Sequence, residues 1–136
     1  MSSTSTTKTT NVLLWIAQVL VALMLFFGAF AKLFQPIEEA AKMLPWASES
    51  PLLLRFTGLV DLLGALGLLL PSLLKIQPKL TVYAAIGTVV LMVLAIGFHV
   101  SRGEAASTPF NVVLLLLAVF IAWGRTKKVP IYPKIA

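Results

Sequence analysis

Four apolar stretches, each close to the length of a membrane-crossing helix, constrain this 136-residue chain more than any other feature. A helix needs about 20 apolar residues to cross a hydrocarbon core of about 30 Å. Only 12% of the residues are charged, against about 25% in soluble domains. We therefore predict an all-α membrane protein with a four-transmembrane-helix bundle, its spans running approximately over Asn11–Phe34, Leu52–Leu74, Leu80–Ser101 and Pro109–Gly124.

The segments outside the four stretches divide the chain into a core and two tails. The polar leader "MSSTSTTKTT" is of low complexity, and we predict a disordered N-tail over residues 1–10. Residues 11–125 form a single transmembrane domain in this prediction. Residues 126–136 contain Lys127, Lys128, Lys134 and two prolines, so we predict a basic, extended C-tail there.

The loop after the first stretch, "QPIEEAAKMLPW", predicts a short amphipathic helix. Pro36 suits the first turn of a helix, and the apolar residues recur on one face with helical spacing. We favour a helix lying on the outer membrane surface, with Trp46 as an interfacial anchor. The alternative interpretation is a lid over the mouth of the bundle.

The distribution of Lys and Arg predicts the orientation. Cytoplasmic loops of membrane proteins carry an excess of these residues. The N-tail, the second loop and the C-tail hold Lys8, Lys75, Lys79, Arg125, Lys127, Lys128 and Lys134, whereas the other side has Lys32, Lys42, Arg55 and Arg102. We expect a multi-pass protein of a bacterial cytoplasmic membrane with both termini in the cytoplasm. The net charge of +6 then reflects orientation and contact with the lipid bilayer rather than nucleic-acid binding.

Polar residues converge on the outer half of the predicted bundle. Ionisable groups inside a membrane are costly and usually face protein or a water-filled cavity. Every span contributes a polar group to this half, and Asp61 lies about 14 Å into its helix, near the membrane midplane. The inner half has Gln18 and little else. We predict an outward-facing pocket formed by Lys32, Arg55, Asp61, His99 and Asn111, with Arg102 and Glu104 at its rim.

Each of these residues also has a purely structural interpretation. Long cationic side chains such as Arg102 can extend to lipid headgroups, and His99 can cap its helix. Asp61 can be held by a buried hydrogen bond, for which Tyr83 and Thr88 are candidate donors, or by Arg55 as a nearby cation. The glycines that flank Asp61 predict that its helix approaches a neighbour closely: Gly58, Gly64 and Gly67.

The stretch "RFTGLVDLLGALGLLLPSLLKIQPKLT" (residues 55–81) resembles the DoxX-like family of small four-helix membrane proteins. The endings "GAFAKLF", "FHVSRGE" and "AWGR" of the other helices are similar to that family as well. The resemblance covers nearly the whole chain. It implies that the polar residues matching the family's pattern have a functional role: Lys32, Arg55, Asp61, His99 and Glu104. Many relatives have Glu where this chain has Asp61. Named relatives include the membrane subunit of a thiosulfate:quinone oxidoreductase.

Three functions follow as hypotheses. The first is a membrane subunit that binds a quinone or a lipid-like amphiphile and, if it belongs to an enzyme, serves a quinone-linked oxidoreductase. The second is a non-enzymatic assembly subunit of a membrane complex, and the third is a small transporter. The sequence predicts no metal site and no covalently bound cofactor, because it has no cysteine and one histidine. Electron transfer would need a redox partner protein, and a homo-oligomer is a further expected partner.

Overall fold

The computed structural model describes residues 2–104, 106 and 108–134, and this part of the chain is almost entirely helical. The helices are α1 (Ser2–Phe34), α2 (Ile37–Met43), α3 (Pro51–Leu74), α4 (Lys79–Ser101) and α5 (Thr108–Trp123). A 3-10 turn (Pro45–Ala47) follows α2, and a π-helical turn (Gly124–Lys128) follows α5. The predicted all-α fold is confirmed.

Four of these helices are long and apolar enough to cross a membrane, namely those within Thr7–Phe34, Pro51–Leu74, Lys79–Ser101 and Thr108–Lys128. Their outward faces are covered by large apolar side chains, among them Phe27, Leu63, Leu94 and Leu116. Such continuous apolar exposure suits lipid rather than water. The chain is therefore a multi-pass membrane protein, and an even number of spans places both ends on the same side.

The two predicted tails differ from the structure. Helix α1 begins at Ser2, whereas the sequence predicts a disordered tail over residues 1–10. No proline or glycine interrupts the chain before Gly28, and the helix therefore continues into the polar leader. At the other end, helical geometry persists to Lys128, and the extended tail begins at Val129. Residues 135 and 136 lie outside the described part.

The four spanning helices form a closed ring. Helix α1 packs against α3 and α5, and α4 packs against the same two helices from the opposite side. Neighbours in the ring are antiparallel, as short connections require. One end of the bundle carries α2 and is called the α2 side; the other carries both chain termini and is called the termini side. Small and aliphatic side chains fill the centre: Ala17, Val21, Leu25, Ala65, Leu68, Ala85 and Ile121.

Glycines on α3 allow the close approach that the sequence predicts. A Cβ atom at Gly58 would lie 2.7 Å from Cβ of Lys32 on α1, and one at Gly67 would lie 2.9 Å from Cβ of Ala84 on α4. Both distances are too short for a real side chain. The predicted close packing around Asp61 is thus confirmed, with α3 held tightly between α1 and α4.

Candidate functional site

A cavity of about 720 Å³ lies on the α2 side, between the ends of the helices. Ligand pockets in proteins typically measure about 300–1,000 Å³ and are lined mainly by apolar groups with a few polar ones. Aliphatic and aromatic side chains line most of this cavity. Four of the five residues predicted as ligand-binding are in its wall: Lys32, Asp61, His99 and Asn111.

Lys32 and Asp61 form a buried ion pair across the α1–α3 interface. Nζ of Lys32 donates to Oδ2 of Asp61 at 2.9 Å. Asp61 is only 3% exposed, which confirms that it does not face lipid. Gly28 on α1 makes room for the carboxylate, because a Cβ atom there would lie 3.1 Å from Oδ2. The cation thus compensates the cost of burying the acid.

The partners that the sequence predicts for Asp61 are wrong. Tyr83 is 62% exposed, and the hydroxyl of Thr88 donates to the carbonyl oxygen of Ala84 in its own helix at 2.8 Å. Arg55 does not pair with Asp61 either, because six residues of helix place the two on different faces. Lys32, at the end of the neighbouring helix, reaches the carboxylate with its flexible stem.

Arg55 contacts the backbone of α1 rather than the predicted pocket. Its Nη1 donates to the carbonyl oxygens of Lys32 at 2.7 Å and of Gln35 at 3.0 Å. These carbonyl groups belong to the last turn of α1 and the residue after it, where a helix leaves acceptors unsatisfied. Arg55 is not in the cavity wall, so the structure does not bring it together there with the other four predicted residues. It instead fastens the start of α3 to the end of α1.

His99 faces the cavity with one part of its ring and Glu104 with another. Its Nδ1 lies 2.9 Å from Oε1 of Glu104, which makes Glu104, not Asp61, its acidic neighbour. Arg102 donates through Nε to Oε2 of Glu104 at 3.2 Å and through Nη1 to Glu49 at 3.0 Å. The hydrogen bond with His99, aided by Arg102, holds the pKa of Glu104 below its usual range. Arg102 and Glu104 lie outside the cavity wall.

The first loop forms a lid. Ala40, Trp46 and Ala47 are buried against Leu54 of α3, and the Trp46 ring packs edge-on against Phe98 of α4 at 5.5 Å between centroids. Trp46 is only 6% exposed. The favoured interpretation of Trp46 as a surface anchor is therefore wrong, and the alternative of a lid over the bundle mouth is the arrangement found.

The lid also supplies a free hydrogen-bond donor. Nε1 of Trp46 is buried and has no hydrogen-bond partner within the described residues, although Trp46 is in the cavity wall. A buried donor without an acceptor costs about 1–3 kcal/mol. Asn111 on α5 is 8% exposed and also lines the cavity, where its amide offers both a donor and an acceptor. An acceptor group in the cavity would satisfy both side chains.

The termini side contains a polar network that the sequence did not predict. Gln18 is fully buried, and its Nε2 donates to the carbonyl oxygen of Leu68 at 2.7 Å. Its Oε1 accepts from Nε of Arg125 at 2.7 Å. The hydroxyls of Ser72 and Thr81 lie 2.6 Å apart beside them. The prediction of an almost wholly apolar inner half is thus wrong, because Arg125 points into the bundle and is 3% exposed.

No cluster of three or more His, Asp or Glu side chains suited to a metal ion occurs in the described part of the chain. The polar groups at the cavity are instead hydrogen-bond donors and acceptors spread over four helices and a lid. Such a set can orient the polar head of a small molecule whose apolar part lies against the remaining wall.

The chain belongs to the DoxX-like family, since the sequence model of that family matches residues 16–121. The match covers the second and third spanning segments in full, most of the first and fourth, and every cavity residue named above. No curated protein and no solved structure matches the chain at the level required for a significant similarity.

Proposed function

We propose that this DoxX-like membrane protein binds a quinone in the cavity on the α2 side and serves as the quinone-binding membrane subunit of an oxidoreductase. The observation that carries the proposal is the buried Nε1 of Trp46, which lacks an acceptor among the described residues and lies in the wall of a mainly apolar cavity of about 720 Å³. An acceptor from a ligand would remove the cost of that unsatisfied donor.

The chemistry of a quinone fits the distribution of polar groups. Its two carbonyl oxygens are hydrogen-bond acceptors on a flat apolar ring, and its tail is apolar. Trp46 on the lid and Asn111 on α5 would donate to the carbonyl oxygens. The aliphatic and aromatic wall would hold the ring and the tail, and two of its apolar side chains, Phe27 of α1 and Leu94 of α4, are exposed on the lipid-facing surface. The proposed ligand would therefore enter from the bilayer.

The ionisable side chains at the cavity would exchange protons with the bound quinone ring and balance its charge. Lys32 and Asp61 form the floor of the cavity as an ion pair, and His99 connects the wall to Glu104 outside it. The chain supplies hydrogen bonds and a protected apolar site, and a partner protein would carry the redox centre.

The test is equilibrium binding of a labelled decyl-substituted benzoquinone to the purified protein in neutral detergent. Trp46→Phe keeps an aromatic ring, although a smaller one, and removes the donor, so binding should weaken about threefold to tenfold, the value of one neutral hydrogen bond. Trp123→Phe is the matched control, because Trp123 is 45% exposed and stacks on Phe120 away from the cavity. Decylbenzene has no carbonyl oxygen, so its binding affinity should be the same for the wild-type protein and for Trp46→Phe.

Equal binding to wild-type protein and Trp46→Phe would contradict the proposal. So would absence of quinone from protein extracted with its native lipids. Co-purification of a partner protein without quinone would favour the assembly-subunit hypothesis instead.

A further inference from the structure

Arg125 is a buried cation without a counter-charge. It is 3% exposed at the end of α5. Nε donates to Gln18, and Nη1 donates to Oδ1 of Asn11 at 2.8 Å and to the carbonyl oxygen of Val129 at 3.0 Å. All three acceptors are neutral, whereas a buried charge is normally balanced by an opposite charge.

No acidic side chain of the described residues lies on the termini side. The sequence has five acidic residues, all on the α2 side or at the floor of its cavity: Glu38, Glu39, Glu49, Asp61 and Glu104. Asp61 is paired with Lys32. The seven Lys and Arg residues of the termini side therefore have no acidic side chain near them in the sequence. An anion that compensates the charge of Arg125 would therefore come from outside these residues.

One nitrogen of the guanidinium group is also unsatisfied. Nη2 of Arg125 is buried and makes no hydrogen bond within the described residues. An unsatisfied buried donor is destabilising, and more so when the group is charged. Two of the three guanidinium nitrogens thus donate to neutral acceptors, and the third has no acceptor among the described residues.

A second cavity, of about 590 Å³, lies beside the guanidinium group of Arg125. Its wall contains Arg125, Ser72 and Thr81. Lys79 is also in the wall and belongs, like Thr81, to the first turn of α4. The N-terminal end of a helix carries a partial positive charge that favours anions. The tail Pro130–Pro133 closes the opposite wall, and the backbone N–H of Lys134 donates to the carbonyl oxygen of Lys75 at 2.8 Å, which ties the tail to the α3–α4 loop.

We propose that this second cavity binds a phosphate group, with Arg125 and Lys79 as its cationic partners. A guanidinium group matches the geometry of phosphate oxygens, and basic pockets between membrane helices on the cytoplasmic side bind anionic lipid headgroups. The phosphate belongs to the headgroup of an anionic phospholipid or to a free phosphate ion, and the two sources share the same chemistry. The site is separate from the quinone cavity and does not depend on it.

The lipid arm of the test uses the full chain in vesicles of phosphatidylcholine with or without phosphatidylglycerol, followed by mild-detergent extraction and native mass spectrometry. Wild-type protein should retain phosphatidylglycerol, and Arg125→Gln should reduce retention about tenfold, which corresponds to about 1.4 kcal/mol. Lys79→Gln should reduce it less. Lys127→Gln is the matched control, since it removes one exposed charge from the same helical turn.

The free-ion arm uses delipidated protein in neutral detergent, to which inorganic phosphate is added. A rise in the melting temperature that Arg125→Gln and Lys79→Gln abolish and Lys127→Gln preserves would support the proposal with a free phosphate ion. If Arg125→Gln does not fold, Lys79→Gln compared with Lys127→Gln decides both arms. Equal behaviour of those two variants, or no effect of either phosphate source, would overturn the proposal and leave a water molecule as the acceptor.

Discussion

The ion pair between Lys32 and Asp61 allows a quantitative test of how the bundle is held together. Removing one partner of a buried pair usually costs about 3–5 kcal/mol, because the other charge is left buried alone. The side chain of Asp61 is 4% exposed and that of Lys32 is 21% exposed, so solvent screens the pair in part. We therefore expect Lys32→Met to lower the free energy of unfolding by about 2–4 kcal/mol.

The two single substitutions should not be equivalent. Lys32→Met leaves a buried carboxylate with no cation, whereas Asp61→Asn leaves an ammonium group on a long stem near the end of α1, where it can extend towards water. Asp61→Asn should therefore cost less than Lys32→Met. The double substitution should cost less than the sum of the two, with a coupling energy of about 1–3 kcal/mol.

The assay is equilibrium unfolding of purified protein in mixed micelles of increasing denaturing-detergent fraction, followed by circular dichroism. Lys42→Met is the matched control. Lys42 pairs with Glu39 at 2.8 Å, nearly the same distance, but the two side chains are 70% and 55% exposed. That pair should contribute less than about 0.5 kcal/mol. If Lys32→Met and Lys42→Met change the unfolding free energy equally, burial of the Lys32–Asp61 pair has no energetic consequence and the reasoning is refuted.

Three further predictions follow from other contacts. Gly58→Ala should lower the unfolding free energy by about 1–3 kcal/mol, because its Cβ would lie 2.7 Å from Cβ of Lys32, whereas Gly97→Ala, with open space around it, should cause no loss in the same assay. Because the pKa of Glu104 is lowered in the fold, its contacts stabilise the loop above the ordinary glutamate pKa and are lost as the pH falls through the lowered value; tryptophan fluorescence should show this acid transition in the wild type and not in Glu104→Gln. A reporter fused after Ala136 should be active only in the cytoplasm, and activity on the other side would reverse the predicted orientation.

The spans were predictable from the sequence because length and apolar composition decide them. Their observed bounds lie within one residue of the predicted ones, except at the start of α1, where the helix extends into a polar leader. Helix-breaking residues mark most ends, and a membrane imposes the length. The cluster of polar side chains on the α2 side was predictable for the same reason, since counting residues gives the depth of each group along its helix.

Depth does not determine which neighbour a side chain meets. Arg55 and Lys32 both lie at a depth in the bundle from which they could reach Asp61. Because of how the helices are rotated, Lys32 pairs with the carboxylate and Arg55 donates to a carbonyl group of α1. The lid was equally ambiguous, because an amphipathic helix buries its apolar face against lipid or against protein with the same sequence pattern. Packing against Phe98 and Leu54 decides for protein.

Arg125 was misinterpreted for a different reason. Its position after the last apolar stretch is typical of a solvated charge that sets orientation. The side chain is buried because α5 closes on α1 at Gly124, where any Cβ would clash with Leu14. That contact brings the guanidinium group to Gln18. The sequence signal for this burial is a glycine, Gly124, directly before Arg125, together with a polar residue, Gln18, within the first span.

The two polar regions are separated by a packed, mainly apolar layer, which favours two independent binding sites over a transport path. Asp61 lies at the floor of the cavity on the α2 side, and the carbonyl oxygen of Leu68 accepts from Gln18 on the termini side. These two residues of α3 are about 10 Å apart at 1.5 Å per residue. Leu25 and Ala65 between these levels are buried and apolar, and the hydroxyl of Thr88, beside Gly64, donates to the carbonyl oxygen of Ala84 in its own helix. A proton or ion path needs polar groups or water at every level, and a hydroxyl that is bonded within its own helix does not complete such a path. The separation is consistent with the two ligands proposed above, a quinone in the cavity on the α2 side and a phosphate group in the basic cavity on the termini side.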